Sequence, residues 1–403
     1  MFPLRADVVI VGGGAIGVCC AFELARRGAS VTLLERENEL AAGCSYGNAG
    51  LIAPSHSAPI SNPAAVRNGL RWMWRRDSPF YLRPRPAVVP WLFRFTRAAR
   101  HWEEGMEAIR GLSIASLELH AQLGTELGTG FDRAGLLDVY TTPAGLEGGV
   151  AEAARSGWRH TVLDGQETLE REPTLAGAVA GAVHWPDEGR VEPKRFVETV
   201  GQAAAEAGAE IRTGVEVRSL DELDAETVVV AAGTWSRQLV RLPLEGGKGY
   251  HVDFERSDGD PRIPTWLQET WTLATPFADR LRISGTLELS GLDLSISQSR
   301  VDAIRRGGER WFRGLAGRPV IETWAGLRPC LPDGLPAIGR LGRAIVATGH
   351  AMKGVALAPI TGRLVAQLAA GEEPERDLAP FDPERFSRSA WAAGARPRHA
   401  ARA

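Results

Sequence analysis

Gly12, Gly14, Gly17 and Glu35 are the first residues whose types and spacing point to chemistry. The glycines stand in the order G-x-G-x-x-G, and the acid follows 18 residues after Gly17. Glycine at the first position permits a tight turn. At the second it lets the backbone approach a pyrophosphate, and at the third it lets a helix and a strand pack closely. Ala15 and Ile16 then fall on the opening turn of a helix, whose unpaired N–H groups and partial positive charge suit phosphates. Glu35 can accept hydrogen bonds from a ribose hydroxyl pair, and its charge disfavours the 2′-phosphate of NADP. Arg36 follows at the same point. These residues by themselves leave FAD and NAD both open.

The elements that must hold them are legible nearby. Asp7–Gly12 reads DVVIVG, four β-branched residues closed by glycine, which predicts a buried parallel strand. Residues 15–27 (AIGVCCAFELARR) predict a helix ending on Arg26–Arg27, with Gly28 as its stop. Residues 30–35 (SVTLLE) predict a second apolar strand that ends in the acid. Further along, 104–128 predicts a helix and 134–141 a strand. A helix opens near Pro193, a favoured first-turn residue, and is capped at Gly208, and strands follow at 209–213, 215–219 and 227–232. Residues 298–312 predict another helix, and a final helix starts near Val355 with Pro359 in its first turns.

Composition bounds the classes. A length of 403 residues suggests about two domains, and 44% apolar with 24% charged residues argues against wholesale disorder. A net charge of −2 gives no argument for nucleic acid. The four cysteines, Cys19, Cys20, Cys44 and Cys330, form no CxxC and no Cys/His cluster with zinc spacing, so no metal is expected, and they fit a reduced, cytoplasmic setting. No signal peptide and no run of about 18 uncharged apolar residues is visible. Residues 71–100 are rich in Trp, Arg and Pro. They read as a docked segment whose arginine stems cover apolar surface, with a weak peripheral membrane contact on the inner face as the alternative. The prolines there forbid one continuous helix.

Residues 43–54 (GCSYGNAGLIAP) resemble the loop after the second strand in the D-amino-acid dehydrogenase and glycine/sarcosine oxidase group of FAD enzymes, the DAO flavoprotein family. The resemblance runs from about residue 5 to about 385. Its other stations are VVVAAGTWS (228–236), GGKGYHVDF (246–254), LRISGTLEL (281–289), WAGLRPCLPDGLPAIGR (324–340) and AIVATGHAMKG (344–354). It decides for FAD, held non-covalently, over NAD. It implies an α/β fold: a Rossmann-like FAD-binding domain of glutathione-reductase type, interleaved with a mixed α+β substrate domain built on an antiparallel sheet. The implied division gives 1–80, 155–235 and 325–385 to the FAD domain and 81–154 and 236–324 to the substrate domain. By composition, residues 386–403 are expected to form a flexible tail.

The same resemblance implies roles. Ser45, Asn48, Ala49 and Gly50 pass the pyrophosphate and the flavin ring. Val217 lies toward the adenine, and Ala232 and Gly233 allow a second crossing of the cofactor. Gly349, Met352, Lys353, Gly354 and Val355 line the flavin pyrimidine edge, where Lys353 and a helix N-terminus oppose developing negative charge. Arg328 holds the substrate carboxylate bidentately. Tyr250 is a pocket residue. The implied reaction is oxidation of a small amino acid, a D-amino acid or a D-proline-like ring such as D-hydroxyproline, at the Cα–N bond by hydride transfer to flavin N5. Electrons then pass to a quinone, a carrier or oxygen. The alternatives are an oxygen-using glycine/sarcosine-type oxidase and a flavin subunit of a larger dehydrogenase. AMKG (351–354), where glycine oxidases tend to carry an arginine, departs from the glycine pattern.

Overall fold

The computed structural model describes residues 6–72, 80–83 and 85–387. The chain opens with β1 (Ala6–Val11), α1 (Ala15–Ala25) and β2 (Val31–Leu34), followed by β3 (Leu51–Ile52), α2 (Pro63–Trp72), β4 (Phe80–Leu82), α3 (Val89–Ala98) and the long α4 (Trp102–Leu127). It continues through β5 (Leu136–Tyr140), α5 (Pro143–Ser156), β6 (Thr161–Asp164), α6 (Gly165–Arg171), β7 (Gly181–Trp185), β8 (Gly189–Arg190), α7 (Pro193–Glu206), β9 (Glu210–Arg212) and β10 (Ala225–Val230). Then come α8 (Ser236–Leu239), β11 (Glu245–Glu255), β12 (Thr265–Leu267), β13 (Thr272–Pro276), β14 (Arg280–Leu289), α9 (Gln298–Trp311), β15 (Val320–Cys330), β16 (Ala337–Leu341), β17 (Ala344–Thr348) and α10 (Gly354–Ala369).

Two sheets organise these elements. The first has six strands in the order β16-β17-β10-β1-β2-β9. It is parallel except for the β16–β17 pair. Its central strands are buried on both faces, which is why they read as unbroken Val/Ile/Leu runs. The second has nine strands along β15-β11-β14-β13-β12-β5-β7-β6, with β4 added beside β14. It is mostly antiparallel, and α9 packs on one face of it. This is the α/β architecture expected. The pairing moves one boundary, however: β6 and β7 join β5 in the second sheet, so residues from about 155 to 185 go with that sheet rather than the nucleotide unit.

α1 is apolar apart from Glu23 because it is enclosed. It packs against both α10 and α7. Gly362 of α10 comes so close to Cys19 that a Cβ would stand 2.6 Å from its backbone. Cys19 and Cys20 are buried small residues of this core, and burial raises both thiols. Pro359 is the sixth residue of α10, in its second turn. It has no N–H for the carbonyl of Val355, four residues back. His120 Nε2 on α4 reaches that carbonyl at 3.1 Å instead, and Ser116 Oγ bonds the next one, Ala356, at 2.6 Å.

Residues 215–219, expected as a strand, form none. The amide of Val215 bonds Glu35 O at 2.8 Å, and the segment then runs past the end of β2 without a ladder. The Trp/Arg-rich stretch is broken into short elements, as its prolines require. Trp91 is buried and donates to Cys330 O at 3.2 Å, Arg83 pairs with Asp293 at 3.1 Å, and Arg85 pairs with Glu245. Val89 and Phe93 stay exposed on the outer side of α3. Residues 73–79 and 84 of this stretch, and 388–403 of the expected tail, lie outside the described residues. Just before them Arg385 is fastened to Asp333 at 2.7 Å. No described helix is long and apolar enough to cross a membrane.

Candidate functional site

A cleft of about 1170 Å³, open to solvent, lies at the carboxyl ends of β1, β2, β10 and β17. In open parallel sheets that edge is where ligands bind, because helix N-termini and loops converge there. Gly12, Gly14, Ala15, Ile16, Glu35, Arg36, Ser45, Asn48, Val217, Ala232, Gly233, Gly354 and Val355 all line it. Gly12 has φ 113°, and a Cβ there would stand 2.6 Å from Ala231 O. A Cβ on Gly14 would point at Ser45 Oγ, 3.1 Å away and on the cleft wall. A Cβ on Gly17 would collide with Gly12 O, which is the close helix–strand approach expected.

The wall is cross-braced. Glu35 accepts from the amides of Gly13 at 2.5 Å and Glu37 at 2.9 Å, so it shapes the glycine turn as well as ending β2. Ser45 Oγ accepts from Ala15 N at 3.0 Å. Thr348 Oγ1 donates to Gly233 O at 2.9 Å and Thr234 Oγ1 to Leu327 O at 3.1 Å, which ties three distant crossings together. One end of the cleft carries a residue that the sequence reading passed over: Trp235, with the Arg36 guanidinium 3.8 Å from its ring centroid. Ala49 and Gly50 are not among the residues that line the cleft. Gly50 has φ 73°, and its amide donates to Asn48 Oδ1 at 2.8 Å. Gly349 has φ 82° and turns the chain over Leu331. Met352 is 38% exposed, and its carbonyl takes the Asn48 amide at 3.2 Å.

Arg328 projects from β15 across β11. Gly249 makes room, since any Cβ there would strike the guanidinium. Its guanidinium donates to Thr286 O at 3.0 Å. Thr286 is β-branched yet has φ 62°, a strained conformation. Burial pulls the Arg328 pKa down, and only the Cys44 and Cys330 thiols lean the other way. Other enclosed arginines differ: Arg282 is clamped by Asp253 at 2.8 Å, Arg318 by Asp260 at 2.5 Å, and Arg300 by Glu288 at 3.2 Å. Among the described residues Arg328 has no carboxylate within pairing distance.

Tyr250 is a correction. Successive residues of a strand face opposite ways, and Gly247 and Gly249 face Arg328. Tyr250 therefore points to the other face, into the core beneath α9, where its hydroxyl donates to Glu288 at 2.9 Å. The next residue on the Arg328 face is His251, stacked on Trp324 with centroids 5.3 Å apart. His251, Asp253 and Glu322 converge as metal ligands would. Arg282 takes up Asp253 and the Tyr46 hydroxyl takes up Glu322, so the cluster braces the Tyr46–Asn48 loop, whose carbonyls Arg282 also holds at 2.9 Å.

Lys353 stands at the N-terminus of α10, and its Nζ donates to the His56 carbonyl. Burial pushes its pKa down to about 8, against the pull of Glu188. Around it lies a cluster no motif announced. His56 bonds Ser55 Oγ at 2.8 Å and Asp138 at 3.1 Å, and it stacks on Trp266 with centroids 5.0 Å apart. Asp138 also accepts from Trp185 at 2.7 Å and Gln268 at 2.8 Å. His350 lines the cleft, but its ring is engaged behind the wall. Its Nε2 meets Thr361 at 3.0 Å, and burial pulls its pKa to about 3.

Comparison with known proteins agrees with this architecture. The family described as DAO, FAD dependent oxidoreductase, matches residues 7–368. The chain is 31% identical to a D-amino acid dehydrogenase of Methylobacterium radiotolerans, over 91% of this chain and 96% of that protein. It is 32% identical to a D-amino-acid oxidase of Bradyrhizobium diazoefficiens, over 95% of this chain and all of that one. Among solved structures, the glycine oxidase of Geobacillus kaustophilus superposes with a TM-score of 0.78 at 27% identity, covering 95% of this chain and 99% of that chain. The cleft fits the FAD that this family carries: a glycine turn with no side chain at the phosphate approach, a helix N-terminus behind it, and small residues at the second crossing. Matched along nearly its whole length, and with its cleft at the strand edge where such a cofactor is held, the chain belongs to the DAO family of FAD-dependent oxidoreductases.

Proposed function

We propose that this enzyme oxidises a small amino acid, a D-amino acid or a D-proline-like ring, at its Cα–N bond, with the substrate carboxylate on Arg328. The observation that carries the reading is the half-buried guanidinium with no counter-ion among the described residues. A substrate carboxylate would supply that charge and accept two parallel N–H bonds, which fixes the direction of Cα. Thr286 O holds the guanidinium from below, and Gly249 leaves its face clear.

Non-covalently bound FAD supplies the acceptor for the hydride that leaves Cα. The chain's share is orientation and electrostatics. Arg328 would orient the substrate, the first turn of α1 would hold the pyrophosphate, and Lys353 with the N-terminus of α10 would supply positive charge toward the flavin. The amine must be neutral when hydride leaves. The imino acid product then hydrolyses in water, or persists when cyclic. Electrons pass on to a quinone, a carrier or oxygen. Relatives named D-amino acid dehydrogenase and D-amino-acid oxidase both match, and the dehydrogenase reading rests on the family resemblance of residues 43–54 and 246–254 described above.

The test is a panel of D-, L- and N-alkyl amino acids with the purified FAD-loaded chain and an artificial dye acceptor. Dye reduction by D-amino acids or D-proline analogues is expected. Turnover confined to L-amino acids, or none at all, would overturn the proposal.

A further inference from the structure

We infer that Thr286 is a positioning residue for Arg328: a one-residue bulge in β14 brings its carbonyl onto the guanidinium and so sets the direction in which Arg328 meets a carboxylate. This rests on, and deepens, the reading that Arg328 takes the substrate carboxylate.

The bulge follows from the pairing of β14 with β11. Tyr250 stands opposite Gly285 and Lys248 opposite Glu288, so Gly249 alone faces both Thr286 and Leu287. An extra residue of this kind bends its strand and re-aims the groups beside it, and such bulges gather next to functional sites. Two glycines make the space for it. A Cβ on Gly249 would strike the Arg328 guanidinium, and a Cβ on Gly285 would stand 2.7 Å from the Trp271 carbonyl oxygen. From Leu281 to Leu289 the strand is buried except at Gly285, Thr286 and Leu287, which are half-buried, so it opens at the bulge.

Thr286 holds this place against its own preference. Ala41, Trp271, Thr286 and Ala351 are the described non-glycine residues with positive φ, and of these only Thr286 is β-branched. At φ 62° its Cβ crowds the backbone, and glycine is the residue such a position favours. The side chain does not compensate: Oγ1 is buried without a hydrogen-bond partner among the described residues. The carbonyl is the group that is used, accepting from Arg328 Nη1 at 3.0 Å. Strain that local preference opposes points to function, and what the strain delivers here is that carbonyl. A guanidinium grips a carboxylate through two parallel N–H bonds only when the two groups share a plane. Fixing Nη1 on Thr286 O fixes the plane and leaves the other N–H groups to a ligand.

The test is binding of acetate, propionate and benzoate, each against its neutral amide, to the oxidised FAD-loaded enzyme. Flavin absorbance reports binding, with FAD content and Tm as controls. Arg328→Ala should weaken the carboxylates about ten- to a hundredfold and leave the amides unmoved. Deletion of Thr286 removes the extra residue while Gly285 can stay opposite Tyr250 and Glu288 opposite Lys248. It should weaken the carboxylates about tenfold, as a two-point grip becomes a point charge, again with the amides unmoved. In the Arg328→Ala background the deletion should change nothing further. Thr286→Pro keeps the chain length but cannot hold a positive φ, so it should act as the deletion does. It covers the case in which the deletion does not load FAD. Thr286→Gly keeps the carbonyl and relieves the strain, so it should melt at a higher temperature and lose less affinity than the deletion. Wild-type carboxylate affinity in the deletion or in Thr286→Pro, or a Thr286→Gly as weak as the deletion, would overturn the inference. Wild-type affinity in Arg328→Ala would sink the carboxylate seat itself and this inference with it, so the two failures are told apart.

Discussion

Arg328 is the residue on which the substrate assignment turns. Removing its guanidinium deletes a charge-assisted contact of roughly 1.5–3 kcal/mol. Arg328→Ala should therefore lose about ten- to a hundredfold in kcat/KM while keeping its FAD. Steady-state kinetics with flavin content measured in parallel checks this, and unchanged kinetics would place the carboxylate elsewhere. At this scale the sequence showed what is local. The glycine turn, Glu35 and the GLRP arginine announce themselves by spacing or resemblance. Tyr250 was misplaced by one residue of strand parity, although GGKG itself carried the signal: two glycines at alternate positions mark the face that must clear a large neighbour. The His56–Asp138–Glu188–Lys353 cluster was invisible because each member is a lone residue on a different element.

At the scale of elements, α10 and α4 share one device. Pro359 strands the Val355 carbonyl inside a buried helix, and His120 satisfies it. His120→Leu should cost about 1–3 kcal/mol, the price of an unsatisfied buried carbonyl. In a Pro359→Ala background the new N–H can bond Val355, so the same substitution should cost clearly less. Denaturant unfolding of the four combinations checks it; equal costs in both backgrounds would separate the histidine from the proline. The helices and most strands were legible from apolar period and from caps such as Pro193 and Gly208. Residues 215–219 were not, because Val215 and Val217 alternate as a strand does while the parallel edge beside β2 is already taken by β9.

For the whole molecule, pH acts mainly through histidines kept neutral. Burial pulls His120 to about 4 and His350 to about 3, and burial with Arg171 and Arg159 takes His184 to about 4. An unfolded imidazole binds its proton near 6.5. Below that pH the unfolded chain holds more protons than the folded one, so their contribution is complete above about 6.5 and is lost as pH falls toward 4. Glu188, raised to about 7, works the opposite way between its ordinary range and 7, but the three histidines outnumber it. Thermal melts should show Tm falling from pH 7 to pH 5, with a shallower fall in His120→Leu; a flat profile would contradict the neutral assignments. The two-sheet architecture was legible through family resemblance over nearly the whole chain. The pairing of β6 and β7 with β5 was not, because strand partners follow from tertiary packing rather than from local pattern.

The central claim joins a bound flavin, an amino acid and Arg328 in one site. Its most direct test is anaerobic mixing of the FAD-loaded enzyme with a D-amino acid and, separately, with the amine that lacks only its carboxylate. The account predicts rapid bleaching of the flavin absorbance by the amino acid, little or none by the amine, and loss of that preference in Arg328→Ala. Equal bleaching by both compounds, or by neither across a broad range of side chains, would contradict it.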